Sequence, residues 1–202
     1  MRALITGSTS GIGAACVLRF AGEGWSVLDV ARTSKHYPCD VTDKAALAKV
    51  IVSVPTLDAI IHCAYTYEEA QVQRVGQDAL EVLWTYGQGG LRAGNGALVV
   101  LSSIAAKDPD TPYGLDKRAQ ERRAMAFARE GAPDVRVNIV RPHLIGGTRT
   151  HKVAEPKRAE HLPLQRYGTP EEVAEVVWLA ATCRHMTGAT ITVDGGHSIC
   201  AR

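Results

Sequence analysis

The feature that most constrains the fold is a glycine-rich turn near the N-terminus. Gly7, Gly11 and Gly13 follow the apolar strand candidate Arg2–Thr6 and lead into the helix candidate Gly13–Glu23. Glycine tolerates positive φ and lets the backbone approach a pyrophosphate closely. A helix N-terminus adds amide donors and a partial positive charge. A lone glycine-rich turn can be a plain tight connection, but strand, turn and helix in this order predict a dinucleotide-phosphate site.

Strand-like apolar segments alternate with amphipathic segments along the rest of the chain. This alternation predicts an α/β fold, a Rossmann-type doubly wound parallel sheet with helices on both faces. The 202 residues suffice for one such domain, spanning 1–202. The strand candidates are Arg2–Thr6, Ser26–Ala31, Ala59–Cys63, Ala97–Leu101, Val135–Val140 and Thr190–Val193. The helix candidates are Gly13–Glu23, Lys44–Ser53, Gln71–Tyr86, Pro112–Ala128 and Pro170–Ala181.

Composition argues against several classes of function. The formal net charge is only +2, so we expect no nucleic-acid partner. There is no apolar run long enough for a membrane span, so we expect no membrane partner. The five cysteines include no CxxC pair and predict free thiols in a reducing, cytoplasmic compartment. The seven histidines show no HExxH or similar ligand spacing, and we therefore expect no metal site.

Two polar residues in the fourth helix candidate suggest acid–base chemistry. Tyr113 and Lys117 are four positions apart, which places both side chains on one helix face. An ammonium near a phenol favours the phenolate, so we expect Lys117 to lower the pKa of Tyr113. The pair is a candidate proton donor and acceptor near neutral pH. The spacing alone is a weak signal, because many helices contain it by chance.

Four segments in order match the signature of one protein family. They are Thr6–Gly13 as a TGxxxGxG turn, Asp40-Val41, Ser102-Ser103 followed by Tyr113-x-x-x-Lys117, and Pro163-Leu164-x-Arg166 through Val193-Asp194-Gly195-Gly196. With these motifs the whole chain resembles the short-chain dehydrogenase/reductase family of single-domain, tyrosine-dependent oxidoreductases.

The resemblance implies a nicotinamide dinucleotide cofactor and a set of residues that contact it. The Asp40-Val41 pair would contact the adenine ring, and Ile145 would offer backbone groups to the carboxamide. Thr148 is one residue later than the family pattern, which weakens its assignment. The cofactor-binding residues implied are Gly7, Ser10, Gly11, Ile12, Gly13, Arg32, Asp40, Val41, Ala64, Tyr113, Lys117, Ile145 and Thr148.

In this family, the residue at the end of the second strand determines which of the two nicotinamide cofactors is bound. An acid there binds the ribose 2′-hydroxyl, whereas a nearby Arg pairs with the 2′-phosphate. The acid position falls on Ala31 and the next residue is Arg32, whose guanidinium suits a phosphate. We therefore favour NADP(H). NAD(H) is possible if Asp29 takes the acid role, and Arg32 is then a solvated strand end.

The resemblance also implies a mechanism. Tyr113 would give its proton to a carbonyl oxygen while NADPH delivers a hydride to the carbon, and the reverse direction would oxidise an alcohol. Lys117 would lower the pKa of the phenol and hold the nicotinamide ribose. Ser103 would orient the substrate oxygen, with Ser102 as the substitute if the strand register is shifted. The loop Ala105–Thr111 is shorter than is usual for the family.

The chain departs from the family pattern at three places. Only Thr33–Pro38 separates the second strand from Asp40, so we expect the intervening helix to be missing. The family's Asn-Asn-Ala-Gly segment becomes His62-Cys63-Ala64-Tyr65, with His62 expected to pack at the strand end. The Asn that anchors the family's proton-relay water has no match, and Gln73 and Gln77 are candidates to hold a similar water, although their positions do not match the family pattern.

A fourth departure touches the substrate side. Pro142-His143 replaces the usual Pro-Gly, and His143 either reaches a polar substrate or merely fills space. The charged, proline-containing segment Gly146–Gln165 is the candidate for a loop over a pocket. The C-terminal Thr190–Ser198 segment is the expected assembly surface of a homodimer or homotetramer.

The leading hypothesis is an NADP(H)-dependent carbonyl reductase or alcohol dehydrogenase acting on a small molecule. The alternative is a dinucleotide-binding sensor or scaffold with little or no catalysis, favoured by the missing Asn and the altered Asn-Asn-Ala-Gly segment. A sugar-nucleotide epimerase or dehydratase would share the Tyr and the Lys, but it normally needs a larger C-terminal domain than this chain can hold.

Overall fold

The computed structural model describes residues 1–54, 56–65, 75–107, 110–148 and 159–200, with only the backbone described at 75–76. Seven parallel strands form one sheet in the order β3-β2-β1-β4-β5-β6-β7. Their bounds are β1 Arg2–Thr6, β2 Ser26–Ala31, β3 Tyr37–Pro38, β4 Ala59–His62, β5 Gly96–Leu101, β6 Val135–Pro142 and β7 Thr190–Val193. The strand order reverses between β1 and β4, which is where open α/β sheets bind their ligands.

Helices cover both faces of the sheet within the described residues. They are α1 Gly11–Gly22, α2 Lys44–Val52, α3 Val75–Gly87, α4 Pro112–Gly131, α5 Pro170–Thr182 and α6 His197–Cys200. Two 3₁₀ helices lie at Gln88–Gly90 and Ile104–Ala106. The predicted Rossmann-type α/β fold is therefore confirmed. Residues 71–74 of the predicted third helix lie outside the described residues.

The strand sequences are almost entirely apolar because both of their faces are buried. Along β1, Leu4 joins the core beneath α2, α3 and α4, whereas Ala3 and Ile5 join the core beneath α1 and α5. Every residue of β5 is buried. Because β1, β4, β5 and β6 are parallel, their carboxyl ends lie at one edge of the sheet, where the polar residues of interest are found.

The connection from β2 to β3 has no helix, as predicted, and a serine organises the turn instead. The hydroxyl oxygen of Ser34 lies 2.7 Å from both the backbone oxygen and the carboxylate of Asp29. It also accepts hydrogen bonds from the amides of His36 and Tyr37 at 3.1 and 3.0 Å. A buried hydroxyl with four polar neighbours replaces the missing crossover helix and brings β3 beside β2.

Strand β6 is longer than predicted. Its sequence pattern ended at Val140, but Arg141 and Pro142 pair with Thr192 and Val193 of β7. The neighbouring strand thus extends the pairing toward His143. Among the described helices, none has the length and apolar character needed to cross a membrane.

Candidate active site

The turn between β1 and α1 requires its glycines. Gly7 and Gly11 have φ angles of +68° and +52°, which residues other than glycine rarely adopt. A Cβ on Gly7 would lie 2.9 Å from the backbone of Ala64, and one on Gly13 would clash with the carbonyl oxygen of Gly7. A Cβ on Gly11 would lie 3.5 Å from Thr148. The fold therefore brings Ala64 and Thr148, two predicted cofactor residues, against the glycine turn.

The N-terminus of α1 keeps its amides available. Ser10 occupies the N-cap position, but its side chain makes no capping hydrogen bond. The first backbone hydrogen bond of the helix runs from the amide of Ala14 to the oxygen of Ser10. The amides of Gly11, Ile12 and Gly13 come before it in the chain and have no acceptor within the helix. Amide donors at the positive end of a helix dipole fit a pyrophosphate. The donor set thus fits the dinucleotide that the sequence predicts.

Thr6 ties the ends of β1 and β4 together beside this turn. Its hydroxyl lies 3.0 Å from Nδ1 of His62 and accepts from the amide of Ala64 at 3.1 Å. His62 is only 1% exposed, which agrees with its predicted packing role. The neighbouring thiol of Cys63, together with burial, raises the pKa of Cys16 on α1. The segment that replaces Asn-Asn-Ala-Gly is therefore held in place by the contacts of His62 and Ala64 with Thr6.

The residues expected near the adenosine end lie at the ends of β2 and β3. The Thr33 hydroxyl donates to the Thr9 hydroxyl at 3.0 Å, which ties the residue after Arg32 to the glycine turn. The Asp29 carboxylate is already engaged, by Ser34 and by Nδ1 of His36 at 2.9 Å. Its side chain therefore serves the β2–β3 connection, which weakens the reading of Asp29 as the ribose-binding acid.

The predicted Asp40-Val41 pair follows β3 directly. The Asp40 carboxylate accepts from the amide and the hydroxyl of Thr42, both at 2.9 Å. The Thr42 amide bond lowers the pKa of Asp40, and the charge of Arg32 adds to this effect. Val41 is buried in the core. Asp40 and Arg32 therefore lie near each other, on the side of the glycine turn where the sequence places the adenosine.

The two serines that end β5 have different hydrogen-bond partners. Ser102 is buried and donates to Glu121 at 2.5 Å, and Glu121 also pairs with Arg141 at 2.6 Å. Ser103 caps the 3₁₀ helix at Ile104–Ala106 and forms a hydrogen bond with the side chain of Tyr113. The geometry therefore brings Ser103, and not Ser102, to the tyrosine.

The protonation of Tyr113 differs from the prediction. Burial raises the pKa of Tyr113, the hydrogen bond from Ser103 opposes this, and the charge of Asp116 reinforces it. The pKa of Tyr113 therefore lies above its ordinary value, with burial as the largest cause, whereas the sequence led us to expect a lowering by Lys117. Tyr113 is thus a neutral phenol at neutral pH, a state that can donate a proton.

Lys117 is buried, with only 3% of its surface exposed. Its ammonium donates to the backbone oxygen of Leu101 at 2.9 Å and to Oε1 of Gln120 at 3.1 Å. Burial lowers the pKa of Lys117 to about 8, although the charge of Asp116 acts in the opposite direction. The side chain therefore remains mostly cationic at pH 7.

Tyr65, where the family pattern has glycine, lies over this pair. The Lys117 ammonium is 4.4 Å from the centre of the Tyr65 ring and 5.9 Å from that of Tyr113. The rings of Tyr65 and Tyr113 meet edge to face, with centroids 5.1 Å apart. An aromatic ring thus shields the ammonium at a place where the sequence predicts the backbone to pass the cofactor.

The segment after β6 carries the remaining predicted residues. Leu144 has a φ of +46°, and its backbone oxygen accepts from the amide of Gly168 at 3.1 Å. Ile145 forms a bridge with Gly168, and its backbone oxygen accepts from the Thr148 hydroxyl at 2.9 Å. This turn holds Thr148 against the glycine turn despite its late position. Residues 149–158 of the predicted loop Gly146–Gln165 lie outside the described residues.

Comparison with known proteins identifies the family. A family profile described as Enoyl-(Acyl carrier protein) reductase matches residues 7–198. The 3-oxoacyl-(acyl-carrier-protein) reductase of Thermotoga maritima is 28% identical, over 96% of this chain and 96% of its own length. The D-threitol dehydrogenase of Mycolicibacterium smegmatis is 28% identical, over 98% of this chain and 92% of its own length. The chain belongs to the short-chain dehydrogenase/reductase family. It is therefore an oxidoreductase that acts on a CH–OH or carbonyl group with NAD(P).

Solved structures show the same fold for this short-chain dehydrogenase/reductase. A short chain dehydrogenase/reductase family protein superposes with a TM-score of 0.83 and 28% identity, over 97% of this chain and 96% of that chain. The structure of BdcA in complex with NADPH has a TM-score of 0.84 and 25% identity, over 96% of this chain and 93% of that chain.

Sequence reasoning missed one polar partner in this short-chain dehydrogenase/reductase. Gln77 lines an outer groove with Arg118 and Arg122, and Gln73 lies outside the described residues. The side chain that accepts a hydrogen bond from the Lys117 ammonium is that of Gln120, which is fully buried. Its position, three residues after Lys117 on the same helix face, was a signal available in the sequence.

Proposed function

We propose that this chain is an NADP(H)-dependent oxidoreductase, formed by one domain, that reduces a carbonyl to an alcohol or catalyses the reverse reaction. The observation that carries the proposal is the hydrogen bond between Ser103 and a neutral, half-buried Tyr113, one helical turn from the ammonium of Lys117. Proton donor, orienting hydroxyl and cation lie at the edge of the sheet that also carries the glycine turn.

Each side chain has a role that its surroundings support. The Tyr113 phenol is protonated at neutral pH, and burial raises its pKa further, so it would donate to a carbonyl oxygen that becomes negative. The Ser103 hydroxyl would orient that oxygen and stabilise its charge. Lys117, cationic at pH 7, would bind the ribose hydroxyls of the cofactor and favour release of the phenolic proton. A bound NADPH would supply the hydride.

The preference for NADP(H) rests on the end of β2. Arg32 is exposed beside Thr33, which contacts Thr9 of the glycine turn, and the Asp29 carboxylate is engaged by Ser34 and His36. A guanidinium there would pair with a 2′-phosphate. We expect Arg32→Ala to weaken NADPH binding by about tenfold or more, since charge-assisted hydrogen bonds contribute about 1.5–3 kcal/mol, and to leave NADH binding within about twofold.

The decisive test of the catalytic role is Tyr113→Phe, assayed against ketones, aldehydes and secondary alcohols with both cofactors. Phenylalanine keeps the ring that packs against Tyr65 and removes only the proton donor. We expect turnover to fall by about 10²-fold or more, with NADPH binding within about twofold of the wild type in a fluorescence titration. Turnover that persists in the variant would contradict the role of Tyr113, and loss of NADPH binding together with turnover would show that the hydroxyl is needed for cofactor binding rather than for proton transfer alone.

A second candidate function is a dinucleotide-binding sensor with little catalysis, and the position of Tyr65 favours it. Its ring covers the Lys117 ammonium that would otherwise meet the cofactor ribose. The sensor reading predicts NADPH binding without turnover across the substrate panel, both in the wild type and in Tyr65→Gly. If turnover appears or rises in Tyr65→Gly, the ring instead gates an active site, and the oxidoreductase proposal is favoured.

Assembly and compartment complete the proposal. Strand β7 lies at the edge of the sheet with all four residues half-buried, and Ile199 just beyond it is 81% exposed. We expect a second copy to cover this surface and form a homodimer or homotetramer. Sedimentation of Ile199→Lys should show smaller species than the wild type, and equal sizes would contradict this interface. The five free cysteines support a cytoplasmic location.

A further inference from the structure

Three histidines that are far apart in sequence meet beside the substrate end of the fold. The ligand nitrogens of His143, His161 and His197 all lie within 4.8 Å of one another. His143 and His197 are half-buried, and His161 is exposed. The separations of 18 and 36 positions along the chain hide the cluster from any search for ligand spacing, which is why the sequence predicted no metal site.

Backbone hydrogen bonds at the ends of β6 and β7 fix two of these residues. The amide of His143 donates to the oxygen of Val193 at 2.9 Å, and the amide of His197 donates to the oxygen of Asp194 at 3.0 Å. The Asp194 carboxylate closes the turn by accepting from the amides of Gly196 and Ser198 at 3.0 and 2.8 Å. His143 and His197 therefore sit on neighbouring, well-bonded backbone.

Packing of the C-terminal turn brings the third histidine to the other two. Residues Leu162 and Pro163, which follow His161, lie against Gly195 and Gly196, where an added Cβ would be 3.3 Å from Leu162 and 2.6 Å from Pro163. The amide of Leu164 donates to the oxygen of Gly195 at 3.2 Å. The close approach that these glycines permit is what holds His161 beside His197.

The geometry points to a site for Zn²⁺, or for a divalent transition ion of similar preference, on His143, His161 and His197. Imidazole is the common nitrogen ligand of zinc, with Zn–N distances of about 2.0–2.1 Å that put tetrahedral nitrogens about 3.4 Å apart. Side-chain rotation of the exposed His161 would close the remaining gap. Mg²⁺ and Ca²⁺ prefer oxygen ligands and would bind poorly.

The arrangement of the rings is compatible with ligation. The rings of His143 and His197 have centroids 4.3 Å apart and are tilted by 43°, and those of His161 and His197 are 6.0 Å apart and nearly perpendicular. A simple packing cluster would make the same ring contacts but would bind no ion. Three protein ligands leave one tetrahedral position for water or a small anion.

An ion bound here would connect three separate segments of the chain. It would join the end of β6, the residues that precede α5 and the C-terminal turn, all on the side of the sheet that carries Ile145 and Thr148. Because only the folded chain assembles the three nitrogens, binding would stabilise the native state by mass action. The inference concerns ion binding alone and is independent of the proposed reduction chemistry.

The test is titration of the full chain with ZnCl₂ by calorimetry, with MgCl₂ in parallel. We expect one Zn²⁺ per chain, no Mg²⁺ binding at the same concentrations, and a higher thermal midpoint with Zn²⁺. Because loss of a residue that merely supports a metal ligand weakens binding about 10–100-fold, His161→Ala should weaken it at least about tenfold. His161 is exposed, so this variant should fold, and its thermal midpoint without Zn²⁺ checks this.

Two matched variants separate this site from adventitious binding. His185→Ala removes another exposed histidine, and Cys200→Ser removes the exposed thiol three residues after His197. Both should bind Zn²⁺ like the wild type, and His161→Gln should fail like His161→Ala. The inference is overturned if the wild type binds no Zn²⁺, if His161→Ala binds it unchanged, or if either control loses binding to the same extent.

Discussion

Helices α1 and α5 pack on the same face of the sheet, yet their N-termini are completed in opposite ways. In α5, Thr169 accepts from the amide of Glu172 at 3.3 Å, and the Glu172 carboxylate accepts from the amide of Thr169 at 2.8 Å. In α1, Ser10 stands at the same cap position, and its side chain makes no capping hydrogen bond. The N-terminus of α5 is capped by side chains of its own chain, whereas the side chain at the N-cap of α1 leaves the helix amides uncapped.

The difference shows which residues distinguish a helix N-terminus that is capped by its own side chains from one that is not. Both helices have a hydroxyl residue at the N-cap, so this position alone does not distinguish them. Three residues later α5 has Glu172, which completes the reciprocal capping box, and α1 has Gly13. Glycine offers no competing side chain and permits the tight turn, and the amides remain available to an anion.

The largest effect that would test this comparison is expected from Gly13→Ala. The added methyl would clash with the carbonyl oxygen of Gly7 and distort the turn, so NADPH affinity should fall by about 100-fold. Overpacking should also cost about 1–3 kcal/mol of the free energy of unfolding. Fluorescence titration and urea unfolding measure the two effects. Gly22→Ala, on the same helix with open space around it, is the control and should bind NADPH normally.

Next in size is Thr169→Ala at the N-terminus of α5. Loss of the capping hydroxyl should lower the free energy of unfolding by about 1 kcal/mol. NADPH affinity should not change, because this helix end is satisfied by the chain itself. Urea unfolding measures the free energy of unfolding, and titration of the same preparation measures the NADPH affinity. A weaker cofactor affinity would mean that the two helix ends are not functionally separate.

A smaller, pH-dependent effect is expected from Glu172→Gln. Hydrogen bonds from Arg166 and from the Thr169 amide lower the pKa of Glu172 to about 2, from an ordinary value of 4.5. Because the folded-state pKa is the lower one, the stabilisation is fully present above about pH 4.5 and is lost as the pH falls toward 2. The pair is half-exposed, so solvent screening limits the difference to about 1 kcal/mol.

The measurement is the free energy of unfolding of wild type and Glu172→Gln between pH 6 and pH 3. Glutamine keeps an acceptor for the Thr169 amide and removes only the charge. The wild type should be more stable at pH 6, and the difference between the two proteins should become smaller as the pH falls from 4.5 to 3. A difference that is constant over this range would show that the charge of Glu172 does not contribute.

The smallest effect on stability is expected from Ser10→Ala. Since the side chain makes no capping hydrogen bond, the free energy of unfolding should change by less than about 0.5 kcal/mol. NADPH affinity should fall by a few-fold if the hydroxyl faces the cofactor phosphates. A loss of stability as large as that of Thr169→Ala would show that Ser10 caps α1 after all.

Much of the fold and of the candidate site could be predicted from the sequence, because the patterns that indicate them lie within short segments. The strands β1, β2 and β7 and the starts of α2, α4 and α5 match their apolar patterns and cap residues. Strand β3 could not be predicted, because its two residues are extended only through pairing with β2. The choice of Ser103 over Ser102 also needed the fold, since it depends on Glu121, a residue of a different element.

The sequence by itself determined the parallel α/β class, the glycine turn and the placement of Tyr113 and Lys117 on one helix face. These follow from periodicity and from spacing within a few residues. The tertiary structure decided that burial raises the pKa of Tyr113, that Gln120 accepts a hydrogen bond from Lys117 and that His143, His161 and His197 meet. Desolvation and contacts between distant segments exist only once the chain has folded, so local patterns do not contain them.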